Sequence, residues 1–145
     1  AFLATTLILL LVLRNIKDTL LVLLPLMLAS LFTVAATVIF KVPFNFANII
    51  ALPLLFGLGV DSGIHMAHRL HELEKYGGSL LGTSEAKGVF YGALTTVFSF
   101  SSLALTDHQG TASMGLLLSI GLMLTLVCSL VVLPAFSNVQ ARETR

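Results

Sequence analysis

The sequence predicts an all-α fold, a polytopic membrane helix bundle of about five transmembrane helices. Composition is the first observation: 57% of the 145 residues are hydrophobic, only 10% are charged, and the mean hydropathy is +1.00. Soluble domains carry about 25% charged residues, and one of this size could not hide so many apolar side chains from water. The second observation is that the apolar residues form long runs, as a bilayer crossing of about 20 residues requires. We therefore expect the lipid bilayer to surround the chain.

Five apolar segments are the predicted spans. They are residues 1–13, 20–40, 44–70, 88–105 and 111–136. The first is short, and neither an initiator Met nor charged residues precede it. We therefore expect a fragment of a larger protein and not a signal peptide.

The basic residues of the connections predict the orientation. Seven of the eight Lys and Arg residues fall on alternate connections or in the C-terminal tail, and Lys41 alone falls on the other side. The seven are Arg14, Lys17, Arg69, Lys75, Lys87, Arg142 and Arg145. Because cytoplasmic loops carry the excess of Lys and Arg, we expect a periplasmic N-terminus and a cytoplasmic C-terminus.

Several function classes find no support in the sequence. A net charge of +1 provides no basic field for nucleic acid. The single cysteine, Cys128, has no partner for an internal disulfide and no metal-ligand spacing. Neither a G-x-S-x-G nor an H-E-x-x-H pattern is present. We expect no enzyme activity, no bound metal and no nucleic-acid partner.

Asp61 is the exception in the third predicted span. A carboxylate at membrane depth costs several kcal/mol unless it is protonated or paired, so its default interpretation is functional. A carboxyl group balanced between its neutral and its ionised form can bind and release protons. Two structural alternatives remain open: an interhelical hydrogen bond, or an ion pair with a basic residue on another helix.

Gly57, Gly59 and Gly63 surround Asp61 in the sequence. Small residues let helix backbones approach closely in lipid. A G-x-x-x-G pattern alone indicates helix packing. Beside Asp61 it predicts a tightly packed seam around the carboxylate.

His65, His68 and Glu72 follow Asp61 at helical spacing, on one stripe of the helix. Histidine titrates near neutral pH, so one hypothesis is a proton path from Asp61 to the cytoplasm. The alternative is an ordinary amphipathic helix end, because polar residues are common at the headgroups.

The fourth span is rich in hydroxyl groups. Thr95, Ser99 and Ser102 fall at i, i+4 and i+7 and share one helix face. They are candidate helpers that hydrate Asp61. The alternative is that these hydroxyls bind their own backbone or a neighbouring helix, as is common in membrane helices.

These residues together resemble the resistance-nodulation-division (RND) superfamily. The matching motifs are Gly57-x-x-x-Asp61, Ala93-Leu94-Thr95-Thr96-x-x-Ser99-Phe100, Met114-Gly115 and Val132-Leu133-Pro134-Ala135. Within the superfamily the chain is most similar to the lipid-exporting MMPL branch. Residues 52–65 look closest to its hopanoid-transporter group.

The resemblance implies twelve membrane helices in two similar halves, with large periplasmic domains, in an oligomer of the bacterial inner membrane. It also implies a carboxylate that carries the coupling proton and a lipid or hopanoid substrate that moves through the periplasmic domains. Our spans would be helices two to six or eight to twelve, and we favour the C-terminal set. Asp61 would then be the tenth-helix carboxylate. The coupling ion would be the proton, with no other cofactor.

One departure and one rival accompany the resemblance. Many lipid exporters of this type have Asp-Tyr where this chain has Asp61-Ser62, which puts the detailed proton relay in doubt. The rival function is a sterol-sensing-like regulatory membrane domain, which would bind lipid without proton coupling.

Overall fold

In the computed structural model, residues 2–76 and 84–143 are described, and all their regular structure is helical. The side chains outside the description are those of Phe2, Asn48, Glu85 and residues 70–76, 133–134 and 136–143. The helices are α1 (Phe2–Leu13), α2 (Ile16–Ile39), α3 (Ala51–Tyr76), α4 (Ser84–Leu103) and α5 (Gln109–Glu143), and a short 3-10 turn, Asn48–Ile50, precedes α3. The predicted all-α bundle is confirmed, and each of the five predicted segments overlaps one of these helices.

The start of α2 is set by Asn15. Its backbone is extended, with φ −138° and ψ 121°, and its side chain accepts a hydrogen bond from the Lys17 amide at 3.2 Å. An Asn in this position satisfies one of the amides that a helix start leaves unpaired. Arg14 has a positive φ of 50°, so the chain turns sharply between α1 and α2.

The third helix begins at Ala51, seven residues after the start of the third predicted span. Asn45 explains the difference. Its side-chain oxygen accepts from the Ala47 amide at 3.0 Å, and its side-chain amide donates to Ser113 of α5 at 2.8 Å. Side chains of Asn compete with the helix for backbone groups. Pro53 then fits the first turn of α3, where a missing amide breaks no helical hydrogen bond.

The centre of the bundle is α5, which contacts α2, α3 and α4 along the chain, whereas α1 contacts only α2 and α3 among the described elements. Buried apolar side chains fill the space between these helices. The largest are Leu9, Leu26, Leu55, Met66, Leu117 and Leu118. The helix that carries Asp61, α3, is thereby fixed against four neighbouring helices, α1, α2, α4 and α5.

The surface of the bundle is apolar along much of its length. Val38 and Ile39 are each 74% exposed. Two helical stretches, Ile16–Ile39 and Gln109–Val132, are long and apolar enough to cross a membrane, and Leu3–Leu13 is a shorter apolar helix. The other two helices, α3 and α4, carry the polar residues of the candidate site.

Candidate functional site

Asp61 lies near the middle of α3, and 81% of its side chain is exposed. The described helices therefore do not bury the carboxylate. Exposing a charge to hydrocarbon costs several kcal/mol. Asp61 must accordingly meet water or another part of the assembly when the chain is in a membrane.

A groove of about 420 Å³ lies between α3 and α4 beside this carboxylate. Its polar wall on α3 consists of Asp61, Ser62 and His65. On α4, Gly88 and Gly92 line it, and a Cβ at either position would meet nothing within 4 Å. The groove is open because these positions of α4 have no side chains to fill it.

His65 lies one helical turn from Asp61 and faces its carboxylate. Its Nε2 lies 3.7 Å from Asp61 Oδ1, and the His65 side chain is 65% exposed. The two atoms are too far apart for a direct hydrogen bond. One turn further along the stripe, His68 is exposed and does not line the groove. The Glu72 side chain lies outside the described residues.

The three predicted hydroxyl helpers do not line the groove. Thr95, Ser99 and Ser102 are exposed, and each donates to a carbonyl of its own helix at 2.7 to 2.9 Å. This is the alternative that the sequence left open. The hydroxyl of α4 that does line the groove belongs to Thr96, which is rotated from Thr95 by about 100° around the helix.

The glycine seam lies on the opposite face of α3 from Asp61. A Cβ at Gly59 would collide with Leu26, and one at Gly63 would come within 2.5 Å of Val22 Cγ1. Both glycines therefore lie against α2. Each is two residues from Asp61, and two residues along a helix correspond to a rotation of about 200°, so this face is opposite the carboxylate. The packing at Gly59 and Gly63 is therefore beside α2 and not beside the carboxylate, and Gly57 has open space where a Cβ would be.

The site has two features that the sequence analysis missed. Ser62 and Thr96 line the groove, and Gly88 and Gly92 shape its wall. A signal was present, since Gly88, Gly92 and Thr96 recur every four residues on one face of α4. No group of three metal-ligating side chains lies together within the described part of the chain.

Comparison with known proteins identifies the family. The sequence model of the MMPL family matches residues 1–144. The chain belongs to the MMPL family. The resemblance inferred from the motifs is thereby confirmed, and the chain is a membrane protein segment.

Two relatives of this MMPL chain are named hopanoid transporters. The hopanoid transporter HpnN of Rhodopseudomonas palustris is 41% identical over 135 residues, which is 93% of this chain. That of Burkholderia multivorans is 38% identical over 136 residues, 92% of the chain. A putative membrane protein of Methanocaldococcus jannaschii is 29% identical over 136 residues, 90% of this chain and 35% of that protein. The chain spans about 15% of the length of each HpnN protein.

Proposed function

We propose that this MMPL chain is the proton-carrying membrane part of a lipid exporter driven by the proton gradient, with Asp61 as the proton carrier. The observation that supports this most directly is the position of Asp61: a carboxylate in the middle of a helix of a membrane bundle, open to a polar groove. A structural carboxylate would be expected to have a fixed partner. The contact at 3.7 Å to an exposed His65 is too loose to serve as one.

The exposed carboxylate favours a mechanism in which the access of water to Asp61 changes. When the face of α3 and α4 is open to water, a water molecule in the groove takes the proton from the Asp61 carboxyl group. When another part of the assembly covers that face, burial disfavours the charge and the carboxyl takes up a proton. Alternation between these two arrangements would couple proton movement to a movement of helices. The proton is the coupling ion in this proposal, which needs no other cofactor and no enzyme activity.

The proposed substrate is a lipid of the hopanoid class, because relatives with 41% and 38% identity are named hopanoid transporters. The proposed location is the bacterial inner membrane, with the N-terminus of the chain periplasmic and its C-terminus cytoplasmic. The remaining helices, the periplasmic domains and further copies of the protein are the proposed partners. Transport requires them, since a pathway between repeats needs both halves.

The decisive experiment is Asp61→Asn in the full-length parent protein, with export of a hopanoid from proteoliposomes measured under an imposed proton gradient. Asn keeps the size of the side chain but cannot titrate. We expect export to fall to the rate seen without a gradient. Asp107→Asn is the matched control, because Asp107 is an exposed carboxylate in the connection between α4 and α5. Export at the wild-type rate by correctly assembled Asp61→Asn protein would contradict the proposal.

A second candidate is a regulatory domain that binds lipid without proton coupling. A specific feature favours it: an apolar groove of about 740 Å³ between α2 and α5, lined by residues such as Phe32, Ala36 and Met123. Such a groove matches the apolar body of a lipid. The same experiment separates the two functions. A wild-type protein that binds lipid but shows no gradient-dependent export, with the same lipid binding in Asp61→Asn, would favour the regulatory domain.

A further inference from the structure

A small internal cavity lies behind the Asp61 groove, between α3, α4 and α5. Its volume is about 20 Å³. Three hydroxyl side chains line it: Ser62 of α3, and Thr125 and Ser129 of α5. Ser62 also lines the groove, so one side chain forms part of the wall of both spaces.

The cavity is buried in the bundle. Thr125 and Ser129 are each only 4% exposed. Gly59 forms part of the wall, and a Cβ there would come within 3.0 Å of the Thr125 γ-methyl group. The absence of a side chain at Gly59 therefore allows Thr125 of α5 to lie close to the backbone of α3.

The size and the chemistry of the cavity fit one water molecule. A water needs at least about 10–15 Å³ and two to four polar partners, whereas empty cavities are apolar. The Thr125 hydroxyl donates to the Gly121 carbonyl at 2.8 Å, and its oxygen still has lone pairs that accept from water. Ser62 and Ser129 can each donate and accept. Three hydroxyl partners are therefore available around a space of the right volume.

We propose that this cavity is an internal water site, bound by Ser62, Thr125 and Ser129, which extends the hydration of the Asp61 groove into the core of the bundle. The inference rests on the proposed role of Asp61 as proton carrier. Thr125 and Ser129 follow Leu122, a groove residue, along α5. In the proposed orientation, α5 runs toward the cytoplasm, so the water site lies on the side to which the proton leaves.

The site acts on the release step. The proton leaves the Asp61 carboxyl oxygen and binds a water in the groove, which leaves a carboxylate and a hydronium ion. The water in the cavity accepts a hydrogen bond from this hydronium, while Thr125 and Ser129 hold the cavity water in position. Thr125 and Ser129 are positioning residues in this step, because they act through the water and do not touch Asp61.

Thr125→Val in the full-length parent protein tests the site, because Val has nearly the shape of Thr but no hydroxyl. Proton release from Asp61 is followed by time-resolved infrared absorption of its carboxyl band after a pH jump. We expect release to slow about two- to tenfold, as for the loss of one hydrogen bond between neutral groups. Thr33→Val is the matched control, since Thr33 is equally buried and bonds its own helix at 2.7 Å, but lies outside the cavity.

Two further measurements complete the test. Thr125→Ser restores the hydroxyl without the methyl group, and we expect it to release protons at the wild-type rate. A structure of the full-length protein that resolves ordered waters is expected to show one in the cavity, and none in Thr125→Val. An empty wild-type cavity, a wild-type rate in Thr125→Val, or equal slowing in Thr125→Ser and Thr125→Val would each overturn the inference.

Failure of the proposed function gives a different result. If Asp61 carries no proton, the infrared band that Asp61→Asn removes does not change with pH in the wild type. The structure tests the ordered water separately, because the presence of a water in the cavity does not depend on whether Asp61 titrates. A water without a titrating Asp61 contradicts the proton carrier and its link to the cavity, whereas a titrating Asp61 beside an empty cavity contradicts only the water site.

Discussion

At the scale of single residues, the sequence identifies the carboxylate but not its surroundings. Asp61 stands out because an ionisable residue inside an apolar run is rare. Ser62 and Thr96 line its groove, but they are the same residue types as the Ser and Thr residues of α4 that do not line it. Position around the helix decides between Thr95 and Thr96, and a rotation of about 100° cannot be read from one helix without knowing its neighbour.

The two histidines next to Asp61 are predicted to differ in effect. His65 Nε2 is 3.7 Å from Asp61 Oδ1, whereas His68 is seven residues away, roughly 10 Å along the helix. An exposed ion pair contributes about 0.2–1 kcal/mol, which corresponds to at most about a fivefold change in rate. We therefore expect His65→Gln to slow gradient-driven export by up to about fivefold, measured in proteoliposomes, and His68→Gln to leave it near wild type.

Equal losses in both variants would support the continuous proton path along the His65 and His68 stripe that remained open from the sequence. His108→Gln serves as the control for the substitution itself, because His108 is exposed in the connection between α4 and α5.

At the scale of helices, α4 and α5 approach each other closely at Gly115. A Cβ at this position would come within 2.7 Å of the Phe100 carbonyl oxygen and 2.8 Å of the Ala104 nitrogen. Further along the same interface, Ser101 donates to Ser119 at 3.0 Å. The two helices are joined by a short connection and fixed by backbone contact, so they are expected to move as one unit.

Gly115→Ala is predicted to destabilise the protein, because backbone atoms cannot move aside as a flexible side chain can. Overpacking of this kind costs about 1–3 kcal/mol. The measurement is the thermal unfolding temperature of the purified full-length protein in detergent, which we expect to fall. Gly88→Ala is the matched control: a Cβ there meets nothing within 4 Å, and Ala favours a helix over Gly by about 1 kcal/mol. Equal unfolding temperatures for the Gly115→Ala and Gly88→Ala proteins would contradict the close approach of α4 and α5 at Gly115.

Most of the secondary structure was predictable from the apolar runs, because each run is long enough to favour a helix in lipid. The exception is the start of α3, where the side chain of Asn45 reaches Ser113, 68 residues away. The packing face of the glycines was not predictable either. Gly59 and Gly63 lie against α2, and a single sequence does not say which neighbour a small-residue face meets.

At the scale of the whole molecule, the candidate site is only half enclosed. The groove beside Asp61 is open, and the chain covers about 15% of the length of its HpnN relatives. In the exporter we propose, the other wall of the site comes from elsewhere in the assembly. Loss of that wall would change the behaviour of Asp61 as strongly as a substitution within this chain.

The proposed orientation predicts the accessibility of two connections. In a cysteine-free version of the full-length protein, Asp107→Cys is expected to react with a membrane-impermeant maleimide in right-side-out vesicles. Lys17→Cys is expected to react only after the vesicles are permeabilised, because the excess of Lys and Arg lies on the cytoplasmic side. Both positions are exposed, so burial does not interfere. The reverse labelling pattern would place the C-terminus of the chain in the periplasm.

The exposure of Asp61 also affects how such a protein is made. Until its face is covered, the helix presents an acidic side chain to the acyl chains, which costs about 2.5–3.5 kcal/mol on insertion scales. In an unassembled copy the acidic side chain is therefore exposed to lipid, and assembly covers it. In the exporter we propose, the residue that carries the proton would thus also let the quality-control proteases of the membrane distinguish unassembled subunits from assembled ones.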